Sequence, residues 1–245
     1  MSFYGTSMIF DGVSCEEMGL VMYDFTSNRQ SATAFASDLE IAEDRIDGRY
    51  RSLFYGGAVN APLTFTMVLC ASEDRVYCED ANKQTFYYAN ISPQIASFNQ
   101  KYWMYLEQQV QKWGRSTREG TYDKVYVVKG GTLNKLLTNF TGTMKGGDGK
   151  YPETDAEGFT IHGLAVPAYY YMAILAEKGD TYHAIAFLVP HSELLPQKPT
   201  ADDFQVYAVS IDKLEQETGI DFFCNLPDVI EDEVEKAYNK ADWAW

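Results

Sequence analysis

The longest helical pattern in the chain lies between Phe98 and Trp113, where apolar residues recur at three- and four-residue steps. One stripe of this segment consists of Trp103, Leu106, Val110 and Trp113. The pattern predicts an amphipathic helix with this stripe buried, Ser97 as its N-cap and Gly114 as its end. The two tryptophans are therefore expected in the core and not as platforms for stacked bases.

Most other apolar runs have the length and composition of strands. The candidates after the helix are Lys124 to Lys129 followed by a glycine turn, Ala168 to Leu175, His183 to Val189, and Phe204 to Val209. Before the helix, residues 1–70 form short strand-like runs and loops, and Leu63 to Val68 alternates clearly between more and less apolar positions.

Two further helices are predicted near the end of the chain. One begins at Ile211 with Ser210 as its cap, and the other lies in the acidic last stretch. The second of these helices is expected to face the core through Val229, Val234 and Tyr238. The whole pattern predicts an α+β fold, in which a mainly antiparallel sheet with helices is preceded by a β-rich segment.

Charge is unevenly distributed along the chain. The net charge is -15, but residues 201–245 hold 12 acidic and 3 basic side chains, whereas residues 71–200 hold 14 and 13. An overall negative field disfavours a nucleic-acid partner, and the near-neutral middle of the chain tolerates one. Lysine is absent before Lys83, a shift in composition that is typical of a join between two unrelated segments.

No apolar run is long enough to cross a bilayer, and the first ten residues lack the pattern of a secretory signal, so no membrane contact is expected. The default location is the cytoplasm or a virion. The cysteines, which are Cys15, Cys70, Cys78 and Cys224, form no metal-binding spacing and are expected as free thiols in a reducing compartment.

Polar side chains concentrate where the strand-like pattern before Asn90 changes to the helix. Asn99 at the helix start offers an amide oxygen to a hard cation such as Mg2+, and Asn90 lies in the preceding turn. Glu107 follows Asn99 by about 12 Å of helical rise and about 80° of rotation, so it would orient a water near the ion and not ligate it directly. The residues alone favour a structural alternative, with the asparagines as turn and cap residues and Glu107 as a solvated surface charge.

Residues 71–245 resemble the C-terminal part of the DNA/RNA non-specific endonucleases of the ββα-metal class. The resemblance rests on the runs ANKQTFYYANISPQ, FNQKYWMYLEQQV, VPAYYYMAIL, AIAFLVP and YAVSIDKLEQETGIDFFCNLPD. It implies that Asn99 is the protein ligand of a catalytic Mg2+, that Asn90 is a supporting active-site asparagine, and that Glu107 is the acid beside the waters of the metal. It also implies DNA or RNA as the partner.

One part of that family pattern is missing. The family has an Asp-Arg-Gly-His box shortly before this region, and its histidine is the general base while its arginine holds the phosphate. The corresponding positions read Phe65-Thr66-Met67-Val68. The three histidines of the chain, His162, His183 and His191, are not expected to replace the missing base. The resemblance therefore implies an inactive or severely impaired Mg2+-dependent endonuclease with weak nucleic-acid binding.

Residues 1–70 resemble a different family, the phage distal tail proteins. The matching runs are FDGVSCEEMGLVMYDF and LFYGGAVNAPLTFTMVL. This resemblance implies a β-sandwich that associates with itself, and it places a domain boundary near residue 70, with an incomplete nuclease-like domain over residues 71–245. Two alternatives to the nuclease therefore stay open: a tail assembly protein or gene-fusion product without catalysis, and a remnant that binds metal or nucleic acid without turnover.

Overall fold

The structure is a computed structural model, which describes residues 5–6, 67–68, 91–114, 122–141, 154–159 and 165–245. The predicted β-rich segment of residues 1–70 therefore lies outside the described residues, except for two short strands. Those strands are β1 (Gly5–Thr6) and β2 (Met67–Val68).

An antiparallel sheet forms the centre of the described part. Its strands are β1, β4 (Lys124–Gly131), β5 (Tyr169–Lys178), β6 (Thr181–Pro190) and β7 (Ala208–Val209), and they lie in that order. A second, two-stranded sheet pairs β2 with β3 (Ile91–Ser92). The α+β fold and the two long strands predicted around residues 168–175 and 183–189 are confirmed.

Both faces of the main sheet are covered, which explains why β5 is a nearly continuous apolar run. The side chains of Tyr170, Met172, Ile174 and Ala176 enter one core cluster, which includes the aromatic helix stripe. The alternate residues Tyr171, Ala173 and Leu175 enter a second cluster on the other face. This period of two follows from the strand pleat, and each face buries a different set of helices.

Within the described ranges, four α-helices cover the sheet: α1 (Met104–Gly114), α2 (Ala201–Gln205), α3 (Ile211–Thr218) and α4 (Asp228–Lys236). Helix α1 and the segment before it pack in the first cluster, and α3 packs in the second. As predicted, Ser210 caps α3, because its Oγ accepts a hydrogen bond from the N–H of Lys213 at 3.2 Å. No helix in the described ranges has the length and apolar character needed to cross a bilayer.

The start of the long helix differs from the prediction. Ser97 has helical backbone angles and makes no capping hydrogen bond, so it lies inside the helix. Residues Phe98–Trp103 form a π-helix, which continues directly into α1. The predicted aromatic stripe is nevertheless buried, with Trp103 and Trp113 at 0% and 1% exposure.

Two glycines predicted to form a turn lie within β4 instead. Gly130 is opposite Tyr171 and Gly131 is opposite Tyr170 in the ladder. A Cβ on Gly130 would lie 2.3 Å from the Tyr171 hydroxyl oxygen, and one on Gly131 would lie 2.3 Å from Cγ of Pro167. The glycines therefore allow a close approach of side chains to the strand.

The predicted strand from Phe204 to Val209 is mostly wrong. Thr200 donates hydrogen bonds from its backbone N–H and its hydroxyl to Asp203, at 2.7 and 2.8 Å, and this local bonding starts helix α2. Only Ala208–Val209 forms a strand. The prediction that Val229 faces the core is also wrong, since its side chain is 79% exposed.

Candidate nuclease site

The strand β3 carries the chain into the long helix, and β2 lies beside it. In this antiparallel pair Val68 is opposite Ile91, and Met67 is opposite Ser92. The backbone of Val68 is therefore next to the position that directly follows Asn90 in the sequence. Asn90 itself lies outside the described residues.

Buried hydrogen bonds tie the end of β3 to the main sheet. The Tyr170 hydroxyl donates to the carbonyl of Pro93, and the Ser92 hydroxyl is 2.8 Å from the same tyrosine oxygen. Because the single tyrosine proton goes to Pro93, Ser92 is the donor in the second bond. Ser92 and Tyr170 are fully buried, so these bonds fix the junction against β5.

His191, which directly follows β6, is a second anchor of the junction. Its Nε2 accepts a hydrogen bond from the N–H of Ile95 at 2.7 Å, and its Nδ1 lies 2.8 Å from the carbonyl of Pro167. The first bond requires Nε2 without a proton, so Nδ1 carries the proton and donates it to Pro167. Burial lowers the pKa of His191 to about 3, and the ring stays neutral at ordinary pH.

Acid should destabilise the protein through His191. Its pKa in the folded state is about 3 against an ordinary 6.5, so between these values the unfolded chain binds a proton that the folded chain does not. The stabilising contribution is fully present above pH 6.5. Below it, the free energy of unfolding should fall by about 1.4 kcal/mol per pH unit from this residue.

The measurement is urea unfolding of the parent protein and of His191→Gln, in steps from pH 7.5 to 4.5. The free energy of unfolding is plotted against pH for each protein, and the difference between the two slopes is the contribution of His191. The variant should have the shallower slope. Equal slopes for the parent protein and His191→Gln would contradict the assignment.

Asn99 lies in the π-helical segment that follows this junction. Its N–H donates to the carbonyl of Ile95 at 2.9 Å, and its own carbonyl accepts from the N–H of Met104, five residues further on. Phe98 and Trp103, also five residues apart, stack with ring centroids at 5.6 Å. The wider π turn thus brings two large rings over one another on the buried side.

The π segment also changes where Glu107 lies relative to Asn99. A regular helix turns by about 100° per residue, which separates the two positions by about 80°. Hydrogen bonds that span five residues close a wider turn, with less rotation per residue. Between Asn99 and Met104 the smaller rotation per residue reduces the angle that separates Asn99 from Glu107 about the helix axis. Glu107 therefore lies closer to the helix face that carries Asn99 than it would in a regular helix.

Glu107 forms an ion pair with Lys129 of β4. The Lys129 Nζ is 2.9 Å from Oε1 of Glu107, and the two side chains are only 9% and 13% exposed. Lys129 is opposite Met172, whose side chain enters the core cluster of α1, so the lysine faces α1 as well. The interpretation of Glu107 as a solvated surface charge is therefore wrong.

Asn99 and Glu107 are the residues near this junction that could take part in a site for a hydrated Mg2+. An amide oxygen such as that of Asn99 is a hard ligand that this ion accepts, and a carboxylate such as that of Glu107 could accept a hydrogen bond from one of its waters. Gln94, which is fully buried, has no hydrogen-bond partner for Nε2 or Oε1 within the part of the chain that the structure describes. Burying this amide without a hydrogen-bond partner costs about 1–3 kcal/mol of stability. A polar group that bound at the junction and accepted or donated a hydrogen bond there would offset this cost.

The histidines that the structure describes do not supply a general base here. His191 uses both ring nitrogens in the anchor. His183 lies near the other end of β6, eight residues or roughly 26 Å of strand away, and pairs with Asp242 at 3.1 Å. His162 lies outside the described residues.

This arrangement of sheet and helices is the fold of the ββα-metal nucleases. A crystal structure of the EndoG/EndoGI complex matches it with a TM-score of 0.56 and 18% sequence identity, over 87% of this chain and 77% of the solved chain. The family profile described as DNA/RNA non-specific endonuclease matches residues 69–229. The chain therefore belongs to the DNA/RNA non-specific endonuclease family.

Individual relatives agree with this family. The chain is 33% identical to Nuclease C1 of Cunninghamella echinulata var. echinulata over 159 residues, which are 62% of this chain and 54% of the relative. It is 31% identical to the mitochondrial Nuclease EXOG of Danio rerio, over 61% of this chain and 39% of the relative. It is 25% identical to the mitochondrial Endonuclease G of Bos taurus, over 64% of this chain and 47% of the relative. The chain thus covers between about two fifths and just over half of these relatives.

The first part of the chain has a second similarity. A profile described as phage tail protein N-terminal domain matches residues 3–113. The composite nature expected from the sequence is therefore confirmed, and the two profiles overlap over residues 69–113. The shared stretch includes the junction, the π segment and most of α1.

Sequence reasoning missed three groups that hold the site in place, namely Lys129, Tyr170 and His191. The signal for Lys129 was its position directly after the apolar run of β4, because a charged side chain that is buried there needs a partner of opposite charge. The choice of Glu107 as that partner depends on how α1 crosses the sheet, which short-range patterns do not contain.

Proposed function

We propose that this protein carries the metal-binding half of a non-specific nuclease site without its general base, so that Mg2+-dependent hydrolysis of DNA or RNA is severely impaired. The observation that carries the proposal is the position of Val68 in the strand paired with β3, opposite Ile91 and beside the position of Asn90. The family resemblance implies a histidine at this point. Valine has no group that accepts a proton.

The roles of the remaining residues follow from their chemistry. Asn99 would hold Mg2+ through its amide oxygen, Asn90 would support the same site, and Glu107 would orient a water. When bound, Mg2+ would neutralise charge on the phosphate. Lys129 holds Glu107 at 2.9 Å and balances its charge, which keeps the site close to neutral and lets a polyanion approach.

The distribution of charge supports nucleic acid as the partner. Helices α3 and α4 contain most of the acidic side chains of the last 45 residues, and α3 packs on the sheet face opposite α1. The excess of 12 acidic over 3 basic side chains in residues 201–245 therefore lies mainly away from Asn99 and Glu107. Screening at physiological salt, with a Debye length of about 8 Å, weakens the repulsion from this excess.

Purified full-length protein should bind plasmid DNA or RNA weakly and cleave them slowly or not at all, because loss of a general base costs about 10²–10⁴-fold in rate. The measurement is a time course at several Mg2+ concentrations beside a chelator control, together with a filter-binding assay. Asn99→Ala should remove whatever Mg2+-dependent cleavage or binding is present.

Rapid, Mg2+-dependent cleavage by the parent protein would contradict the proposed impairment. Cleavage that Asn99→Ala leaves unchanged would contradict the proposed metal position. Binding without cleavage, lost in Asn99→Ala, is the result expected of a remnant without turnover.

A second candidate function is assembly of a phage tail, which the profile match over residues 3–113 favours. In this case the protein would associate with itself through residues 1–70, and this association would not depend on nucleic acid. Light scattering of the full chain over a range of concentrations separates the two candidates. A ring-sized oligomer supports assembly, and a monomer at every concentration contradicts it.

A further inference from the structure

Three carboxylates meet between α3 and α4, on a different part of the molecule from the nuclease site. Asp212, Glu215 and Glu235 each place one carboxylate oxygen within 4.8 Å of the others. Asp212 and Glu215 are three residues apart on α3, so they share one helix face. Glu235 lies near the end of α4, whose neighbour Val234 packs in the second core cluster with Leu214 of α3.

Glu235 distinguishes this cluster from an ordinary acidic surface. Its side chain is only 6% exposed, and its Oε1 is buried without a hydrogen-bond partner within the described ranges. A buried carboxylate oxygen without a donor is costly, and the carboxylate of Glu235 has those of Asp212 and Glu215 within 4.8 Å. Asp212, Glu215 and Glu235 form no ion pair with a lysine, arginine or histidine of the part that the structure describes.

The surrounding charges add to this imbalance. Besides Glu215 and Asp212, the loop residue Asp221 and Glu231 of α4 act on Glu235. Burial is the largest cause, and these acids add to it, so that the pKa of Glu235 is raised to about 8. A cation bound between the three carboxylates would offset their mutual repulsion and would give the unpartnered oxygen of Glu235 a ligand bond.

The donor chemistry selects the cation. All three groups are carboxylates, and the cluster contains no histidine or cysteine, so it suits a hard ion and not a transition metal. Two oxygens on one Ca2+, at about 2.3–2.6 Å each, are at most about 5 Å apart, so oxygens that all lie within 4.8 Å of one another are compatible with this ion. Mg2+ demands a near-ideal octahedron and usually keeps several waters, so a set of three carboxylates suits Ca2+ better.

One ligand is already oriented by the backbone. Oε1 of Glu215 accepts a hydrogen bond from the N–H of Phe222 at 2.7 Å, which ties the carboxylate to the loop between the two helices. Phe222 is itself buried in the second core cluster. Such a bond fixes the position of a ligand before the ion binds.

We propose that Asp212, Glu215 and Glu235 form a Ca2+ site that joins α3 to α4, separate from Asn99 and independent of any nuclease activity. The ion braces the two helices against the sheet. Three carboxylates give a site with a net negative charge, and water and the second oxygens of the carboxylates complete the shell of six to eight oxygens.

The test is thermal unfolding and calorimetric titration of the full-length Asn99→Ala variant, which excludes the other proposed metal position. After chelation and dialysis, added CaCl2 should bind with a stoichiometry of one and raise the Tm by roughly 5–10 °C at a hundredfold excess over Kd. MgCl2 should bind more weakly.

Glu235→Gln in the same background should weaken Ca2+ binding at least tenfold, while its Tm without Ca2+ stays equal to or above that of the parent, because a neutral amide replaces a buried group that is costly to ionise. Asp212→Asn is a second ligand variant with the same expected loss. Glu233→Gln removes the same charge from an exposed position of α4 and should keep the Ca2+ response. No Ca2+-dependent shift in the parent background, or an equal shift in Glu235→Gln, would overturn the site.

Discussion

Replacing Val68 with histidine should raise Mg2+-dependent cleavage of plasmid DNA by about 10²-fold over the parent protein, within the range of about 10²–10⁴ that a general base contributes. The register supports this gain, because Val68 is opposite Ile91 in the strand pair and thus next to the position of Asn90. The increase should stay near the lower end, since the arginine implied by the family resemblance is still absent. The initial rate of supercoiled plasmid loss, with and without chelator, is the measurement.

Two controls decide whether the new histidine acts within the proposed site. Met67→His places the same group one residue away in β2, and it should not raise the rate, because a shift of one residue along a strand changes the face of the sheet. Adding Asn99→Ala to Val68→His should abolish the gain. If the double variant cleaves as fast as Val68→His, the proposed site is not the source of the activity.

Glu107→Gln should lower the free energy of unfolding by about 3–5 kcal/mol, because it leaves the charge of Lys129 buried beside a neutral amide. Lys129→Met should cost a similar amount, since Glu107 then loses its cation. The double variant should be more stable than either single one. Urea unfolding of all four proteins at pH 7 gives the coupling energy of the pair.

A matched control comes from the other end of the same strand. Lys124 and Glu177 pair at 3.5 Å, with side chains 47% and 20% exposed, and Glu177→Gln should change stability by less than about 1 kcal/mol. A cost for Glu107→Gln no larger than this would mean that the buried pair contributes little. It would then leave Glu107 available for a purely functional role.

The elements with the strongest periodicity were predictable from the sequence, and their register was not. The aromatic stripe of α1 and the long strands β5 and β6 follow from local patterns, because burial on one face or two leaves a direct signature in the order of residues. The strand predicted at Phe204 fails because a local bond between Thr200 and Asp203 starts a helix there. Short-range hydrogen bonding overrides an apolar run of only a few residues.

The residues of the candidate site were proposed from the sequence and their roles stay a prediction, whereas the local geometry around them could not be predicted. The resemblance implied Asn99 and Glu107, and a regular helix separated them by about 80°. The π segment that reduces this offset depends on Phe98 and Trp103 packing against each other and against Tyr170. That contact brings together residues more than sixty positions apart, which no local pattern encodes.

The short strand β1 has a consequence for how the two halves of the chain depend on each other. Gly5 and Thr6 pair with Gly130 and Lys129, so these two residues cover one edge of β4 near its C-terminal end. A fragment that begins at residue 71 would leave this edge with unpaired N–H and C=O groups. Open edges of this kind recruit strands from other chains and promote aggregation. The pairing of β1 with β4 therefore makes part of the tail-like segment an edge strand of the nuclease-like sheet, and the boundary predicted near residue 70 would cut this pairing.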